Sequence, residues 1–133
     1  YAMGHLTPDN LAKLKEYTNQ KGPNVIIEFL ANKNLEIDME VIAKYGRIVV
    51  IGNRGTIEVN PRLLMAKDSD IRGLGIPNYT EEEYKQSFVK INELLASGKL
   101  SPVIGQHFTL EEAKAAHKMI MDQKTKGKLV FDL

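Results

Sequence analysis

Two short apolar runs, separated by a segment with helical periodicity, constrain this chain more than any other feature. The first run covers residues 25–30, and the second covers residues 48–51. Between them, apolar side chains recur at helical spacing, which predicts an amphipathic helix. Strands that are apolar at nearly every position belong to parallel sheets covered on both faces, because a sheet with one wet face would alternate. The pattern predicts two parallel strands joined by a crossover helix.

Capping and turn signals divide the rest of the chain. Thr7 followed by Pro8 predicts the start of a helix, and residues 80–83 and 109–112 both carry the Thr-x-x-Glu pattern of a capping box. Gly46 is predicted to end the crossover helix in a left-handed conformation. The other predicted pieces are strands at 70–76, 102–108 and 129–133, an extended piece at 56–60 and helical turns at 61–66. The predicted order is α-β-α-β-β-α-β-α-β, an α/β fold.

Composition excludes several functional classes. The chain has 133 residues, no cysteine and a formal net charge of +1. Without cysteine it can form no disulfide or thiolate metal site, and its histidines are not spaced for metal. No apolar run is long enough to cross a membrane, and no signal-peptide pattern is present. We therefore expect a cytoplasmic protein with no metal and no membrane association.

Several segments together resemble one known family. The most distinctive is Arg-Gly-Thr-Ile-Glu-Val-Asn-Pro-Arg at residues 54–62, and the others lie at 30–32, 46–52, 65–67, 102–105, 116–117 and 127–128. They resemble the zeta-crystallin type of quinone oxidoreductase, in the zinc-free branch of the medium-chain dehydrogenase/reductases. The resemblance implies that residues 1–98 are the second half of a Rossmann-type parallel sheet, strands four to six. Residues 99–133 would be a C-terminal β-α-β segment that in the family returns to the catalytic domain.

The resemblance also implies a division of labour. Family members are more than twice as long and hold the cofactor pyrophosphate on a glycine-rich turn at a helix N-terminus. This chain has no Gly-x-Gly-x-x-Gly motif. We therefore interpret it as a C-terminal fragment of an enzyme that transfers reducing equivalents from NADPH to a quinone. The fragment alone is expected to be inactive.

Site residues follow from the same resemblance, because the family places the nicotinamide half of the cofactor across the carboxyl ends of strands four to six. No catalytic residue is assigned, since the nicotinamide carries the chemistry. His107 and His117 are interpreted as structural histidines, and Asp38 and Glu40 as a solvated helix face. The predicted cofactor-binding residues are Asn34, Ile51, Gly52, Asn53, Arg54, Leu74, Gly75 and Ile76, with His5 near the adenine.

Structural alternatives stand beside several of these assignments. Gly52 either allows close approach of the nicotinamide ribose or simply turns the chain after a strand. Asn34 either hydrogen-bonds the ribose or carboxamide or caps the crossover helix, and Asn32 has the same two alternatives. Arg54 either faces a phosphate or the quinone pocket, or is a solvated loop arginine.

A non-catalytic binding module is the second function class. Some relatives bind RNA rich in adenine and uracil or accumulate as structural lens proteins. The near-neutral charge and the lack of an aromatic, basic surface argue against RNA for this chain. We also expect a homodimer or larger assembly, because residues 25–30 would form an apolar sheet edge and the strand near 70–76 builds the dimer contact in the family.

Overall fold

The computed structural model describes residues 7–122 and 125–133. The helices are α1 (Pro8–Tyr17), α2 (Ala31–Val41), α3 (Arg62–Met65), α4 (Glu81–Ala96) and α5 (Ala113–Met121). The strands are β1 (Val25–Glu28), β2 (Arg47–Val50), β3 (Asp70–Gly73), β4 (Ile104–Phe108) and β5 (Lys128–Phe131). The chain divides into two compact units, one ending at Asn78 and the other beginning at Tyr79. The domain boundary predicted after residue 98 stays a prediction.

The first unit is built on a three-stranded parallel sheet. Its strand order is β1-β2-β3, and Ile26 lies opposite Ile48, which lies opposite Ile71. Helix α2 joins β1 to β2 as the crossover. The predicted strand-helix-strand arrangement is therefore confirmed. Strand β1 is two residues shorter than the apolar run at 25–30, β2 begins one residue before the run at 48–51, and residues 56–60 form no strand.

One face of this sheet carries the core. Met39 and Ile42, from α2 and the residue after it, are fully buried against Ile48 of β2. On the other face, Val25 and Ile27 of β1 are each 58% exposed. Strand β1 is also at an edge of the sheet. An apolar edge strand fits the predicted self-association, which stays a prediction.

An ion pair links β2 to β3 at their first residues. Arg47 lies directly opposite Asp70 in the register of the two strands. Its Nε donates to Asp70 Oδ1 at 2.6 Å and its Nη2 donates to Oδ2 at 2.9 Å. This bidentate geometry holds the guanidinium and the carboxylate in one relative orientation. The hydrogen bonds with Arg47 lower the pKa of Asp70.

The end of α2 differs from the prediction. The helix ends at Val41, and the left-handed residue is Tyr45, with φ of 62°, so the prediction for Gly46 was wrong. Just beyond the helix, Lys67 Nζ donates to the Ile42 carbonyl at 2.6 Å and satisfies that acceptor. Gly46 is needed for space instead, because a Cβ there would lie 2.6 Å from Ile42 Cγ1.

The second unit pairs β4 with β5 in parallel. Both predicted capping boxes form, Thr80 with Glu83 at the start of α4 and Thr109 with Glu112 before α5. The predicted end of α4 near Gly98 is also confirmed, since this glycine has φ of 69° just after the helix. In the described part of the chain, no helix has the length and apolar character that a membrane crossing requires.

Truncating the core between α2 and the sheet should destabilise the first unit. Met39 is fully buried, so Met39→Ala should lower the free energy of unfolding by about 3 kcal/mol through lost burial and the cavity left behind. Urea unfolding followed by circular dichroism measures this loss. Met65→Ala is the matched control, because Met65 is 75% exposed and its truncation should change stability little. Equal losses in the two variants would contradict the placement of the core.

Candidate functional site

A cleft opens at the carboxyl ends of β2 and β3. This edge is where open α/β sheets bind their ligands. The cleft has a volume of about 450 Å³, and none of its lining residues is ionisable. Its lining consists of Val50, Ile51, Gly52, Asn53, Gly73, Leu74, Gly75 and Asn78. Apolar side chains, amides and bare backbone suit a flat, uncharged, polar ring better than a phosphate.

Most of the predicted site residues meet in this cleft. Five line it, namely Ile51, Gly52, Asn53, Leu74 and Gly75. Arg54 follows Asn53 in an exposed loop, and Ile76 begins a short 3₁₀ turn and is 58% exposed. His5 lies outside the described residues. The cofactor contacts of these residues stay predictions.

Three residues of the cleft lining are not among the predicted site residues. Val50 and Gly73 are the last residues of β2 and β3, and Asn78 ends the short turn that follows. A signal for Val50 and Gly73 was available, because the carboxyl ends of adjacent parallel strands meet at one edge. Asn78 had no comparable signal, since the turn that brings it back toward Gly75 is not marked by a motif.

Gly52 is fixed against the end of β1. A Cβ on Gly52 would lie 2.1 Å from the carbonyl oxygen of Phe29. The Gly52 N–H donates to the Glu28 carbonyl at 3.2 Å, and the Gly52 carbonyl accepts from the Ala31 N–H at 3.1 Å. The protein's own backbone therefore already requires a glycine here, whatever the cofactor adds.

Two asparagines join the start of α2 to the loop that follows β2. Asn53 Oδ1 accepts from the Asn32 N–H at 3.0 Å, and Asn32 Oδ1 accepts from the Arg54 N–H at 3.0 Å. Asn53 Nδ2 donates to the Gly55 carbonyl at 2.6 Å. Each side chain thus accepts from the backbone of the other segment, and Asn53 also lines the cleft.

Asn34 does not line the cleft. It lies in the first turn of α2, is buried, and donates from Nδ2 to Glu28 Oε1 and Oε2 at 3.1 and 3.2 Å. The alternative that it caps the helix is wrong, because α2 begins at Ala31 with Leu30 in the capping position and no side-chain cap. A contact with the cofactor would require Asn34 to release Glu28, and that contact stays a prediction.

Asp38 is buried, with only 3% of its surface exposed, so the interpretation of a solvated helix face was wrong for this residue. Its carboxyl group hydrogen-bonds to Glu28. Burial, this hydrogen bond and the negative charge of Glu28 raise the pKa of Asp38 to about 7. Two carboxyl groups can share a hydrogen bond only if one of them carries a proton, so the pair holds one proton between them. Glu40, by contrast, is exposed.

The comparisons with known proteins identify the family. A family model described as zinc-binding dehydrogenase matches residues 5–131. The chain belongs to this family. The α/β fold class and the predicted resemblance to quinone oxidoreductases of the zeta-crystallin type are thereby confirmed, because the chain is 41% identical to human quinone oxidoreductase over 117 residues. That match covers 88% of this chain and 36% of the human protein.

Two solved structures share the fold of this chain. An NAD-dependent alcohol dehydrogenase matches with a TM-score of 0.81 at 21% identity, over 97% of this chain and 36% of that chain. A mycobacterial protein solved in complex with NADPH matches with a TM-score of 0.79 at 18% identity, over 98% of this chain and 42% of that chain. The chain therefore spans between about a third and two-fifths of the length of these two proteins.

Zinc, named in the family description, does not fit the residues present. The chain has no cysteine. Across residues 7–122 and 125–133, no three His, Asp or Glu side chains lie where they could share a metal ion. His107 Nδ1 lies 2.8 Å from Asp132 Oδ1, and His117 Nδ1 lies 2.8 Å from the Ala113 carbonyl oxygen. A zinc site needs at least three protein ligands, so the described residues do not form one.

A side chain at Gly52 should disrupt the loops that form the cleft. The Cβ of Gly52→Ala would overlap the Phe29 carbonyl, which belongs to the backbone and cannot rotate away. We expect a loss of about 2 kcal/mol or more in the free energy of unfolding. Gly73→Ala is the matched control from the same cleft, because nothing lies within 4 Å of a Cβ there. Chemical denaturation measures both, and a Gly52→Ala variant as stable as Gly73→Ala would contradict the close approach.

The buried Asp38 should make stability fall as the pH rises. The folded protein keeps the Asp38 proton up to about pH 7, whereas an unfolded chain releases it near its ordinary pKa of 3.8. Because the folded state binds more protons in this window, Asp38 should lower the free energy of unfolding by as much as about 4 kcal/mol between these pH values. Urea unfolding as a function of pH, compared between wild type and Asp38→Asn, isolates this contribution. Identical pH profiles would contradict it.

Proposed function

We propose that this chain forms the nicotinamide-side part of the cofactor site in an NADPH-dependent quinone oxidoreductase. Three observations support the proposal. The cleft lies at the carboxyl edge of a parallel sheet, the human relative is named quinone oxidoreductase, and a structure of the same fold was solved with NADPH. The substrate class that follows is a small, flat quinone.

The uncharged lining of the cleft carries the proposal. A pyrophosphate-binding surface would present cations or free amides at an α-helix N-terminus, and the lining of this cleft contains neither a cation nor the first residue of an α-helix. A nicotinamide is a flat aromatic ring with one carboxamide, so it needs apolar contact and a few backbone hydrogen bonds. Ile51 and Leu74 offer the apolar contact, and Gly75 adds backbone without a side chain of its own.

Each part of the chain then has a defined task. When bound, the nicotinamide supplies the hydride for quinone reduction. Ile51 and Leu74 exclude water from the ring, and the backbone near Gly75 orients its carboxamide. The bridge between Asn32 and Asn53 holds the loop that carries Gly52 and Arg54. Arg54 is exposed beside the cleft, where its guanidinium would attract the anionic cofactor or the quinone oxygens.

Turnover would need protein elements that this sequence does not contain. The chain carries no glycine-rich dinucleotide motif, so it offers no strong site for the cofactor pyrophosphate. We propose that those contacts, and the preference for NADPH, come from the rest of the complete gene product. The chain by itself would bind cofactor weakly and would not reduce quinones.

A negative charge in the cleft should weaken cofactor binding. Leu74 lines the cleft and is 39% exposed, so a carboxylate there can be solvated without unfolding the chain. In the complete gene product, we expect Leu74→Glu to raise the KM for NADPH about tenfold, because it sets a charge beside an anionic cofactor. Steady-state oxidation of NADPH with 1,4-benzoquinone measures this change.

Two comparisons accompany this assay. Met65→Glu adds the same charge at a site that is 75% exposed and away from the cleft lining, and it should leave the KM unchanged. The 133-residue chain alone should show no turnover. If Leu74→Glu had the same KM as wild type, or if the isolated chain reduced quinone at the rate of the complete protein, the proposed site would be wrong.

A further inference from the structure

The buried polar cluster of Glu28, Asn34 and Asp38 has no task in the function proposed above. The three side chains are only 6%, 8% and 3% exposed. Asn34 donates to both carboxylate oxygens of Glu28, and Asp38 hydrogen-bonds to the same group. Asp38 Oδ2 is buried without a hydrogen-bond partner. Burying such groups costs stability, so a cluster of this kind calls for a role beyond filling space.

Glu28 connects this cluster to the cleft by hydrogen bonds. Its Oε1 accepts from the Leu30 N–H, which fixes the turn after β1. Its main-chain carbonyl accepts from the N–H groups of Ile51 and Gly52, at 2.9 and 3.2 Å. The Ala31 N–H, one residue after Leu30, donates back to the Gly52 carbonyl. The conformation of Glu28 and of the turn therefore sets the position of Gly52.

We propose that Glu28, Asn34 and Asp38 are positioning residues for the cofactor cleft, and that a proton held between the two carboxyl groups keeps the turn after β1 in the conformation that places Gly52. This inference rests on the proposed function, which assigns Gly52 to the cofactor site. Loss of the proton would put two like charges in contact inside the protein. Their repulsion would pull Glu28 away from the Leu30 amide and shift Gly52.

The other charged groups near Asp38 do not cancel this repulsion between the carboxylates of Glu28 and Asp38. Within the described residues, the main elements packed against α2 are β1, β2 and α3. Arg47 of β2 pairs with Asp70, and Lys67, after α3, donates to the Ile42 carbonyl. The remaining charged side chains of α2 and α3 are exposed, namely Lys33, Glu36, Glu40 and Arg62. Glu28 of β1 is thus the charged group that acts on Asp38.

The test titrates the complete gene product between about pH 5.5 and about pH 8.5, on both sides of the Asp38 pKa of about 7. In wild type, the NMR amide signals of Leu30 and Gly52 should shift together with one midpoint near this pKa. In Asp38→Asn they should not shift, because the amide still donates to Glu28 but cannot ionise. Glu36→Gln, which changes an exposed carboxylate on the same helix, is the matched control and should behave as wild type.

Cofactor binding supplies a second measurement on the same samples. NADPH affinity, followed by its fluorescence, should be about tenfold weaker at the high end of the pH range in wild type, the effect of one lost hydrogen bond. In Asp38→Asn the affinity should not depend on pH in this way. Amide signals that do not titrate in wild type would overturn the proposal, and so would an equal affinity profile in two proteins that both bind NADPH.

The two measurements separate this inference from the proposed function. If no protein binds NADPH at any pH, the proposed function fails, and the amide titration alone decides whether the cluster positions Gly52. The wild-type titration requires no variant, so a variant that failed to fold would not prevent a decision. Joint titration of Leu30 and Gly52 supports the inference, and its absence overturns it.

Discussion

Parallel pairing of β1 with β2 is the constraint on which the rest of the first unit depends. Parallel neighbours need a crossover, and α2 supplies it while burying Met39 and Ile42 against Ile48. The same pairing brings the carboxyl ends of the strands to one edge. There the Glu28 carbonyl binds the amides of Ile51 and Gly52, so the cleft begins where the sheet ends. Fold and candidate site thus share one set of backbone hydrogen bonds.

The fold was predictable from the sequence because it rests on repeated, local signals. Apolar runs marked the parallel strands, and Thr-x-x-Glu patterns marked the starts of helices that formed with both capping hydrogen bonds. The end of α2 is not marked locally in the sequence, since the carbonyl just beyond it is satisfied by Lys67, 25 residues along the chain. Gly46 looks like a helix-ending glycine in the sequence, but in the structure its lack of a side chain leaves room for Ile42.

The candidate site was predictable in its backbone part and less so in its side chains. Gly52, Leu74 and Gly75 follow from the position of the strand ends, and the structure brings them into one cleft. Asn34 and Asp38 were harder to place, since a polar pair four residues apart on a helix is usually solvated. The missed signal was Glu28, a charged residue inside an apolar strand, which cannot be buried without partners.

The ion pair between Arg47 and Asp70 has a consequence for how the cleft is assembled. Side chains on parallel strands change faces with every residue, so a slip of one position would place Arg47 opposite Ser69 or Ile71 and leave its charge unmatched. The same slip would displace Leu74 from Gly52 by about 3.3 Å, the rise of one strand residue. The salt bridge lies at the opposite end of the strands from the cleft. Because it favours one register of β2 and β3 at their first residues, it also favours one relative position of the two cleft walls.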